Sequence, residues 1–336
     1  MQNNNFDKIM SNALMVKKDN LSKNIKLVIS KLKKSLDANK KVIEQANEID
    51  KKNKNGFILN FDVINNIFSN LEKEELLYGS VTLSQKYDEK KIIYGRQIMD
   101  CGNVVVITDG NPYITIEMAL RNILAGNTTI FLNNGFMFGT NNLLIQIIQS
   151  VLEQLDMPKY LIQTCISETF DEILSNYANI DLVVCIGNRD LQSIILSKSK
   201  NKTIISGYEN FDLYIEDASH LEFLNKIIDT GLNIQLYINN NTKLDHPKAV
   251  IVSDIDEAIA QINYIGNRYS SSIFTTSADN ASKFIKEVKS KIITVNTSPT
   301  IERIIDIKQT DLINEKTIIY PMNFTIEDST KNIDLY

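Results

Sequence analysis

Three cysteines are the side chains of this sequence best suited to nucleophilic chemistry, because a thiolate can form covalent intermediates with carbonyl and acyl groups. They are Cys101, Cys165 and Cys185. Their spacing matches no disulfide framework or zinc motif, and the two histidines, His220 and His246, have no nucleophile or metal partners at recognisable spacing. Cys185 is a candidate nucleophile, since it lies at the carboxyl end of a predicted strand, where open α/β sheets bind ligands. The alternative is a small buried thiol without a chemical role.

Polar and small residues in turns beside the predicted strands are candidate cofactor contacts. They are Asn111, Pro112, Asn127, Asn133, Gly187 and Asn188. Asparagine amides could hydrogen-bond a dinucleotide there, although Asn is also simply a preferred turn residue. The segments GNPY and AGN do not form the Gly-x-Gly-x-x-Gly fingerprint that holds a pyrophosphate. Both interpretations of these turns therefore stay open.

The apolar pattern predicts a helical opening followed by alternating strands and helices. Three early stretches have apolar residues at helical spacing: 21–36, a stretch with Val42, Ile43, Ala46 and Ile49 on one face, and 62–77. After Lys91 the strand-like runs surround Gly95 and Gly102 and include TTIFL, YLIQTCI, DLVVCIG, TIISGY and LYIED, and the helical runs are TIEMALRNILAG, LLIQIIQSVLEQL and FDEILSNYA. Strands separated by helices imply right-handed crossovers and a mainly parallel sheet. The sequence thus predicts an α/β, Rossmann-like lobe.

Residues 254–300 predict a helix, a strand, a second helix and a second strand. Asp256 and Glu257 suit the positive N-terminal end of the first helix, and Gly266 would end it. The run SSSIFTT is short and bounded by polar residues, as strands are. Helical spacing returns through Phe284 and Val288, and KIITVNTS then predicts the second strand.

This order of elements, with Asn296 just after the last strand, resembles the catalytic domain of the aldehyde dehydrogenase superfamily. It is most similar to glutamate-5-semialdehyde dehydrogenases, also called gamma-glutamyl phosphate reductases. The matching residues are Asp256 to Ile259, Ile262, Asn263, Val295, Asn296 and Ser298. Four further segments have counterparts in the same order: VVVITDGNPYITIEMALRNILAGNTTIFLNNG, IDLVVCIGN, ISGYENFDLYIEDASHLE and the residues from Tyr320 to Asn323.

The resemblance implies an α/β fold of the aldehyde dehydrogenase type, with two Rossmann-like lobes and mainly parallel sheets. Residues 1–225 would form a dinucleotide-binding-like lobe, to which 317–336 return. Residues 226–316 would form a catalytic-like lobe, shortened between Asp245 and Val250, where the family carries several dozen more residues.

In that family a cysteine attacks the carbonyl or acyl phosphate, and a nicotinamide exchanges hydride with the adduct. Matching Gln235 to Asn239 with the strand that follows the family's nucleophile places Thr230 at the nucleophile position. A threonine hydroxyl is a poor nucleophile without an adjacent base, and Asp229 is the only ionisable neighbour in sequence. The family's arginines are also missing from the turns at Asn111, Asn133 and 186–188.

The resemblance therefore implies a degenerate, non-catalytic reductase-like protein that keeps the fold as a binding or regulatory module. The alternative is an NAD(P)-dependent glutamate-5-semialdehyde dehydrogenase or aldehyde reductase with a relocated nucleophile, Cys185. NADP or NAD is the implied cofactor, unless its binding was lost with the arginines. A homodimer formed through a β-hairpin around Lys91 to Val106, a small-molecule or nucleotide ligand and a link to proline biosynthesis are further expectations of the resemblance.

Composition restricts the class of partner. The 336 residues exceed the usual length of one domain, which favours two domains. A net charge of −5 gives no support for nucleic-acid binding, and the lysine runs are interpreted as solvated surface. No apolar run approaches the roughly 18 residues of a membrane span, and the N-terminal segment lacks a signal-peptide core. The sequence thus predicts a cytoplasmic protein that does not bind membranes.

Overall fold

In a computed structural model, the residues described are 3–18, 21–53, 58–87, 92–133, 135–166, 170, 173–174, 178–187, 189–207, 211–217, 234–242, 246, 249–265, 270–297 and 307–321. The chain opens with four helices, α1 (Asn3–Leu14), α2 (Leu21–Ala38), α3 (Lys40–Asn53) and α4 (Phe61–Glu72). The predicted helical opening is confirmed, and α4 ends five residues before the predicted end of its apolar pattern at residue 77.

The predicted buried face of α3 is wrong in part. Val42 and Ile49 are 52% and 62% exposed, whereas Ile43 and Asn47 are buried. Asn47 Oδ1 accepts a hydrogen bond from Leu59 N at 3.0 Å, which satisfies the buried amide oxygen. A long-range hydrogen bond therefore turns a polar residue inward and leaves two large apolar side chains on the surface.

The first parallel sheet consists of β3 (Asn103–Thr108), β4 (Thr128–Asn133), β5 (Ile162–Ile166), β6 (Leu182–Gly187) and β7 (Thr203–Gly207). Its strand order is β5-β4-β3-β6-β7. Helices α5 (Pro112–Leu124), α6 (Phe138–Gln154) and α7 (Arg189–Lys198) connect its strands. Alternate residues of β3 enter two different apolar clusters: Val104 and Val106 pack with α2, α4, α5 and α6, and Val105 and Ile107 pack with α1. The sheet is thus buried on both faces, as parallel sheets are.

The second parallel sheet consists of β8 (Phe211–Ile215), β9 (Ile234–Asn239), β10 (Ala249–Val252), β11 (Ser270–Phe274) and β12 (Ile292–Val295). Its order, β10-β9-β8-β11-β12, repeats that of the first sheet. Helices α8 (Ile255–Ile265) and α9 (Ala278–Glu287) pack on one face through an apolar cluster with Tyr214, Tyr237 and Ile273. The helix, strand, helix, strand order predicted for 254–300 is confirmed, and its predicted stop at Gly266 falls outside the described residues.

A third, antiparallel sheet has the order β1-β2-β13, formed by β1 (Val81–Tyr87), β2 (Ile92–Asp100) and β13 (Ile313–Pro321). Of the strands around Lys91 to Val106 that were expected to supply a hairpin, β2 pairs antiparallel with β1 and β13, whereas β3 joins the first parallel sheet. The homodimer expected through this hairpin stays a prediction. The chain turns between the two sheets at Gly102, whose φ of +113° suits glycine.

The lobe boundary predicted between residues 225 and 226 lies between β8 and β9, which both belong to the second parallel sheet. The chain passes from the first sheet to the second between β7 and β8, and β8, the central strand of the second sheet, precedes residue 226. The first residue of β8, Phe211, belongs to the large apolar cluster of the first sheet. Among the described helices, none is long and apolar enough to cross a membrane.

Candidate functional site

The carboxyl edge of the first parallel sheet is the candidate site, because its strand order reverses between β3 and β6. Open α/β sheets bind ligands in the crevice outside such a switch point. Asn111 and Pro112 follow β3, Asn133 ends β4 and Gly187 ends β6, so the structure brings these four predicted residues to one edge. Asn188 and Thr230 lie outside the described residues, and their predicted roles stay predictions.

The turn after β3 is held by its own side chains. Thr108 Oγ1 accepts from Gly110 N at 3.0 Å. Asn111 caps α5, because its Oδ1 accepts from Tyr113 N at 3.0 Å, and Pro112 occupies the first helical position. Asn111 is only 2% exposed. Its amide oxygen is therefore used by the helix end.

Tyr113 occupies the position where the family has the Asn of its Arg-Pro-Asn turn. It is fully buried. Its hydroxyl donates to Ile58 O at 2.8 Å and accepts from Asn60 N at 2.6 Å. Burial raises the pKa of the phenol, so it stays neutral. The residue ties α5 to the start of α4.

The turn after β4 is locked to the turn after β3. Asn133 Oδ1 accepts from Gly135 N at 2.8 Å. Asn141 Nδ2 donates to Gly110 O at 2.7 Å and to Met137 O at 2.9 Å, so one side chain of α6 bridges both turns. Gly110 has a φ of +96°, and a Cβ there would lie 2.4 Å from Phe136 O. The two turns are thus in backbone contact at the switch-point edge.

The N-terminal end of α6 holds a carboxylate of the chain itself. Asp50 Oδ2 accepts from Thr140 N and from Thr140 Oγ1, both at 2.7 Å. Gly139 lies against the same group, since a Cβ there would be 3.0 Å from Asp50 Oδ1. Helix N-termini attract anions through their free N–H groups and dipole. Here α3 supplies the anion.

The end of β6 is covered by the first turns of α7. A Cβ on Gly187 would lie 2.6 Å from Leu191 Cδ2, so the leucine side chain occupies the space beside the glycine. Gln192 Nε2 donates to Gly187 O at 2.7 Å. The sequence reasoning missed this contribution because it assigned no helix to 189–198, although Asp190 in the first turn and Ile194 and Ile195 could have signalled one.

Cys185 lies inside β6 and is fully buried. It pairs in register with Ile107 of β3. Burial and, to a smaller extent, the nearby carboxylate of Asp109 together raise the pKa of its thiol to about 12. Since the thiolate is the nucleophile, burial disfavours the reactive form of Cys185 in this structure. Cys101 and Cys165 are also buried, and burial raises the pKa of both.

Asp109 is the ionisable group that the sequence reasoning did not single out. It follows β3 at the switch point, and burial raises the pKa of its carboxyl to about 7, although backbone N–H groups of Asn111 and Asp109 itself favour the charged form. Its Oδ1 is buried with no hydrogen-bond partner among the described residues. The sequence signal was its place at the end of the run VVVIT. It can hold or release a proton near neutral pH.

Asn127 is not at this edge. It precedes β4 and so lies at the amino edge of the sheet, fully buried. Its Oδ1 accepts from Cys101 N at 2.7 Å and from Gly102 N at 3.3 Å, and its Nδ2 donates to Asn122 Oδ1 and Leu312 O, both at 2.9 Å. The predicted cofactor contact is therefore placed away from the other candidates, in a hydrogen-bonded junction of three chain segments.

The second sheet also has a switch point, between β8 and β11, where side chains that follow its strands bond with one another and with α9. Thr275 Oγ1 and Asn280 Nδ2 both donate to the Glu216 carboxylate. Asn296 Oδ1 accepts from Thr275 N at 2.9 Å, and its Nδ2 donates to Thr275 O at 3.0 Å. Asn296, one of the residues that carry the family resemblance, thus joins the ends of β12 and β11. Among the described side chains there is also no cluster suited to a metal ion.

A nicotinamide dinucleotide is the cofactor that the resemblance implies, and the described edge does not fit it well. A pyrophosphate needs close backbone approach at glycine and free N–H groups at a helix end. Leu191 fills the space at Gly187, and Asp50 takes the N-terminus of α6. No Lys or Arg occurs in the sequence from Asp109 to Tyr113 or from Asn133 to Thr140.

Two parallel sheets of one strand order and a separate antiparallel sheet define an aldehyde-dehydrogenase-type fold. A propionaldehyde dehydrogenase from Clostridium phytofermentans superposes with a TM-score of 0.67 at 13% identity, covering 97% of this chain and 98% of that chain. These likenesses support a divergent member of the aldehyde dehydrogenase superfamily, and the predicted fold class is confirmed.

Within the superfamily the similarity is to gamma-glutamyl phosphate reductases. The enzyme of that name from Petrotoga mobilis is 22% identical in an alignment of 337 residues that covers 83% of this chain and 80% of that protein. The crystal structure of the one from Thermotoga maritima has a TM-score of 0.59 at 16% identity, covering 95% of this chain and 100% of that chain. No protein-family model matches the chain.

Proposed function

We propose that this chain is a non-catalytic relative of the gamma-glutamyl phosphate reductases that acts as a binding or regulatory module. One observation carries the proposal. The chain has three cysteines, all three are buried, and burial raises the pKa of each thiol. Chemistry through a thiohemiacetal or thioester requires an accessible thiolate, which none of them supplies.

The geometry of the switch-point edge supports the same proposal. Asp50 occupies the N-terminus of α6, and Leu191 occupies the space beside Gly187. A dinucleotide would have to displace both side chains to reach the backbone of this edge. The ligand of the module is therefore expected to be a small molecule, or a nucleotide that binds only after these contacts open.

A turnover assay tests the proposal. The chain, incubated with glutamate 5-semialdehyde, phosphate and NADP or NAD, is expected to produce no reduced nicotinamide, whereas the Petrotoga mobilis reductase in the same buffer serves as the active control. Thr230→Cys restores a thiol at the position that the resemblance assigns to the nucleophile. It is expected to stay inactive, because the closed edge as well as the missing thiol prevents the reaction. Turnover by the unmodified chain would refute the proposal.

The alternative, a working reductase with a relocated nucleophile, rests on the position of Cys185 beside Asp109 at the switch point. Burial raises the pKa of the Asp109 carboxyl to about 7. The carboxylate could therefore accept the proton of the Cys185 thiol only above about pH 7. The variant Cys185→Ser distinguishes a non-catalytic module from a working reductase. Loss of a measured turnover in this variant, with Cys165→Ser unchanged, would establish the alternative, and the native chain would then react with iodoacetamide at Cys185.

A further inference from the structure

Two buried polar groups between the second sheet and its covering helices have no protein partner among the described residues. Asp212, the second residue of β8, is 1% exposed, and Tyr237 of β9 is fully buried. Asp212 Oδ1 and the Tyr237 hydroxyl both lack a hydrogen bond. Buried polar groups in folded proteins are nearly always satisfied, so each of these atoms needs an explanation.

The strand register places the two groups on the same face. Asp212 pairs with Gln235, and Tyr237 lies two residues further along the same strand, which makes it a diagonal neighbour of Asp212 within reach of a long aromatic side chain. Burial and, to a smaller extent, the charge of Asp212 raise the pKa of the Tyr237 phenol, and the second effect is consistent with this proximity. The two groups are therefore close, yet they form no direct hydrogen bond.

Neighbouring side chains do not satisfy these atoms. Ser271 Oγ donates to the other carboxyl oxygen, Asp212 Oδ2, at 3.5 Å, and lies 2.6 Å from Ser290 Oγ. Tyr214, the register partner of Tyr237, has its hydroxyl bound by Asn239 Nδ2 at 3.3 Å. Tyr237 belongs to the apolar cluster formed with α8 and α9, which includes Ala258, Ile262, Ile273, Phe284 and Val288.

We propose that one internal water molecule bridges Asp212 Oδ1 and the Tyr237 hydroxyl and is a resident part of the second sheet. An internal water typically makes two to four hydrogen bonds to otherwise unsatisfied groups, and a carboxyl oxygen and a phenol on adjacent strands supply two of them. The water links β8 to β9, the strands on either side of residues 218–233.

Paired tyrosine variants test the inference. Tyr237→Phe is expected to lower the folding equilibrium constant by about fivefold, the size of one net hydrogen bond, measured by urea unfolding at pH 5.5, where Asp212 is neutral. When residue 212 is Asn, Tyr237→Phe is expected to change the folding equilibrium constant by a different factor than when residue 212 is Asp, because the two groups share the water. Tyr214→Phe is the matched control, since it loses the bond from Asn239 and its effect should be the same with Asp212 or Asn at 212.

Oxygen-17 relaxation dispersion identifies the water itself. The native chain should show one more long-lived internal water than Tyr237→Phe, and Tyr214→Phe should equal the native chain. A Tyr237→Phe variant that is as stable as the native chain, or more stable, would refute the inference, because deleting an unsatisfied buried hydroxyl is then harmless. Coupling between Asp212 and Tyr237 without loss of a long-lived water would also refute it, in favour of a direct hydrogen bond.

Discussion

The buried ion cluster on α5 gives the sharpest stability prediction. Every residue of this helix is buried, including Glu117 and Arg121. Arg121 Nε and Nη2 donate to Glu117 Oε1 at 3.0 and 2.9 Å, and Nη1 donates to Glu74 Oε1 at 2.8 Å. The side chains of Arg121 and Glu117 are 1% and 3% exposed, whereas that of Glu74 is 23% exposed. Arg121→Met removes the cation and leaves the Glu117 carboxylate buried without it.

The expected loss is about 3–5 kcal/mol of unfolding free energy, the usual cost of breaking a buried pair from one side. Glu74 contributes little to that loss, because water can replace its partner. Arg121→Met/Glu117→Leu removes both buried charges and should be more stable than Arg121→Met alone. The single variant should also be less destabilised at pH 5 than at pH 8, since a protonated Glu117 carries no buried charge.

Urea unfolding with linear extrapolation measures both variants. Arg96→Met is the control, because the Arg96–Glu315 pair spans 3.7 Å with side chains 63% and 58% exposed. Such a surface pair should contribute less than about 1 kcal/mol. A loss below about 1 kcal/mol in Arg121→Met, or a double variant that is no more stable than Arg121→Met alone, would show that burial of the charge does not dominate here.

Two further predictions concern Asp109 and Asn127. The raised pKa of Asp109, about 7 in the folded chain, means that its contribution to stability is present below the unfolded value near 3.8 and is lost as pH rises through 7. The free energy of unfolding of Asp109→Asn, relative to that of the native chain, should therefore increase between pH 4 and pH 8, by at most about 4 kcal/mol. Urea unfolding at the two pH values that shows no such increase would contradict this. Asn127→Ala should cost about 2–4 kcal/mol, because it leaves buried groups such as Cys101 N and Leu312 O unpaired; unchanged hydrogen exchange at the Cys101 amide would contradict that.

The elements with strong local patterns could be predicted from the sequence. The order over 254–300 needed only apolar spacing and short polar boundaries, and α8, β11, α9 and β12 follow it. The missed elements depend on distant partners. β13 pairs with β2 from more than 200 residues away, and β1 lies in a polar stretch whose strand state depends on pairing with β2. Neither pairing leaves a local signal.

The candidate site was likewise predictable from the sequence only in part. Asn111, Asn133 and Gly187 could be placed at the carboxyl edge because a strand end is visible in the sequence. The side chains that occupy the edge could not be predicted, since Asp50 comes from a helix some 90 residues before its partner Thr140. The opposite error occurred at Asn127, which precedes the predicted strand TTIFL and therefore lies at the amino end, away from the other candidates.

Several positions that carry the resemblance to working reductases have structural roles here, and this limits what the resemblance says about chemistry. Gly126 has a φ of +75° and lies against the ring of Tyr78, where any Cβ would collide. Asn127 joins three segments at the amino edge, and Asn296 ties β12 to the end of β11. Each would be required for folding even if no cofactor or substrate ever bound. A chain can therefore keep these residues whether or not it is active, and activity has to be judged at Thr230, Cys185 and the switch-point edge.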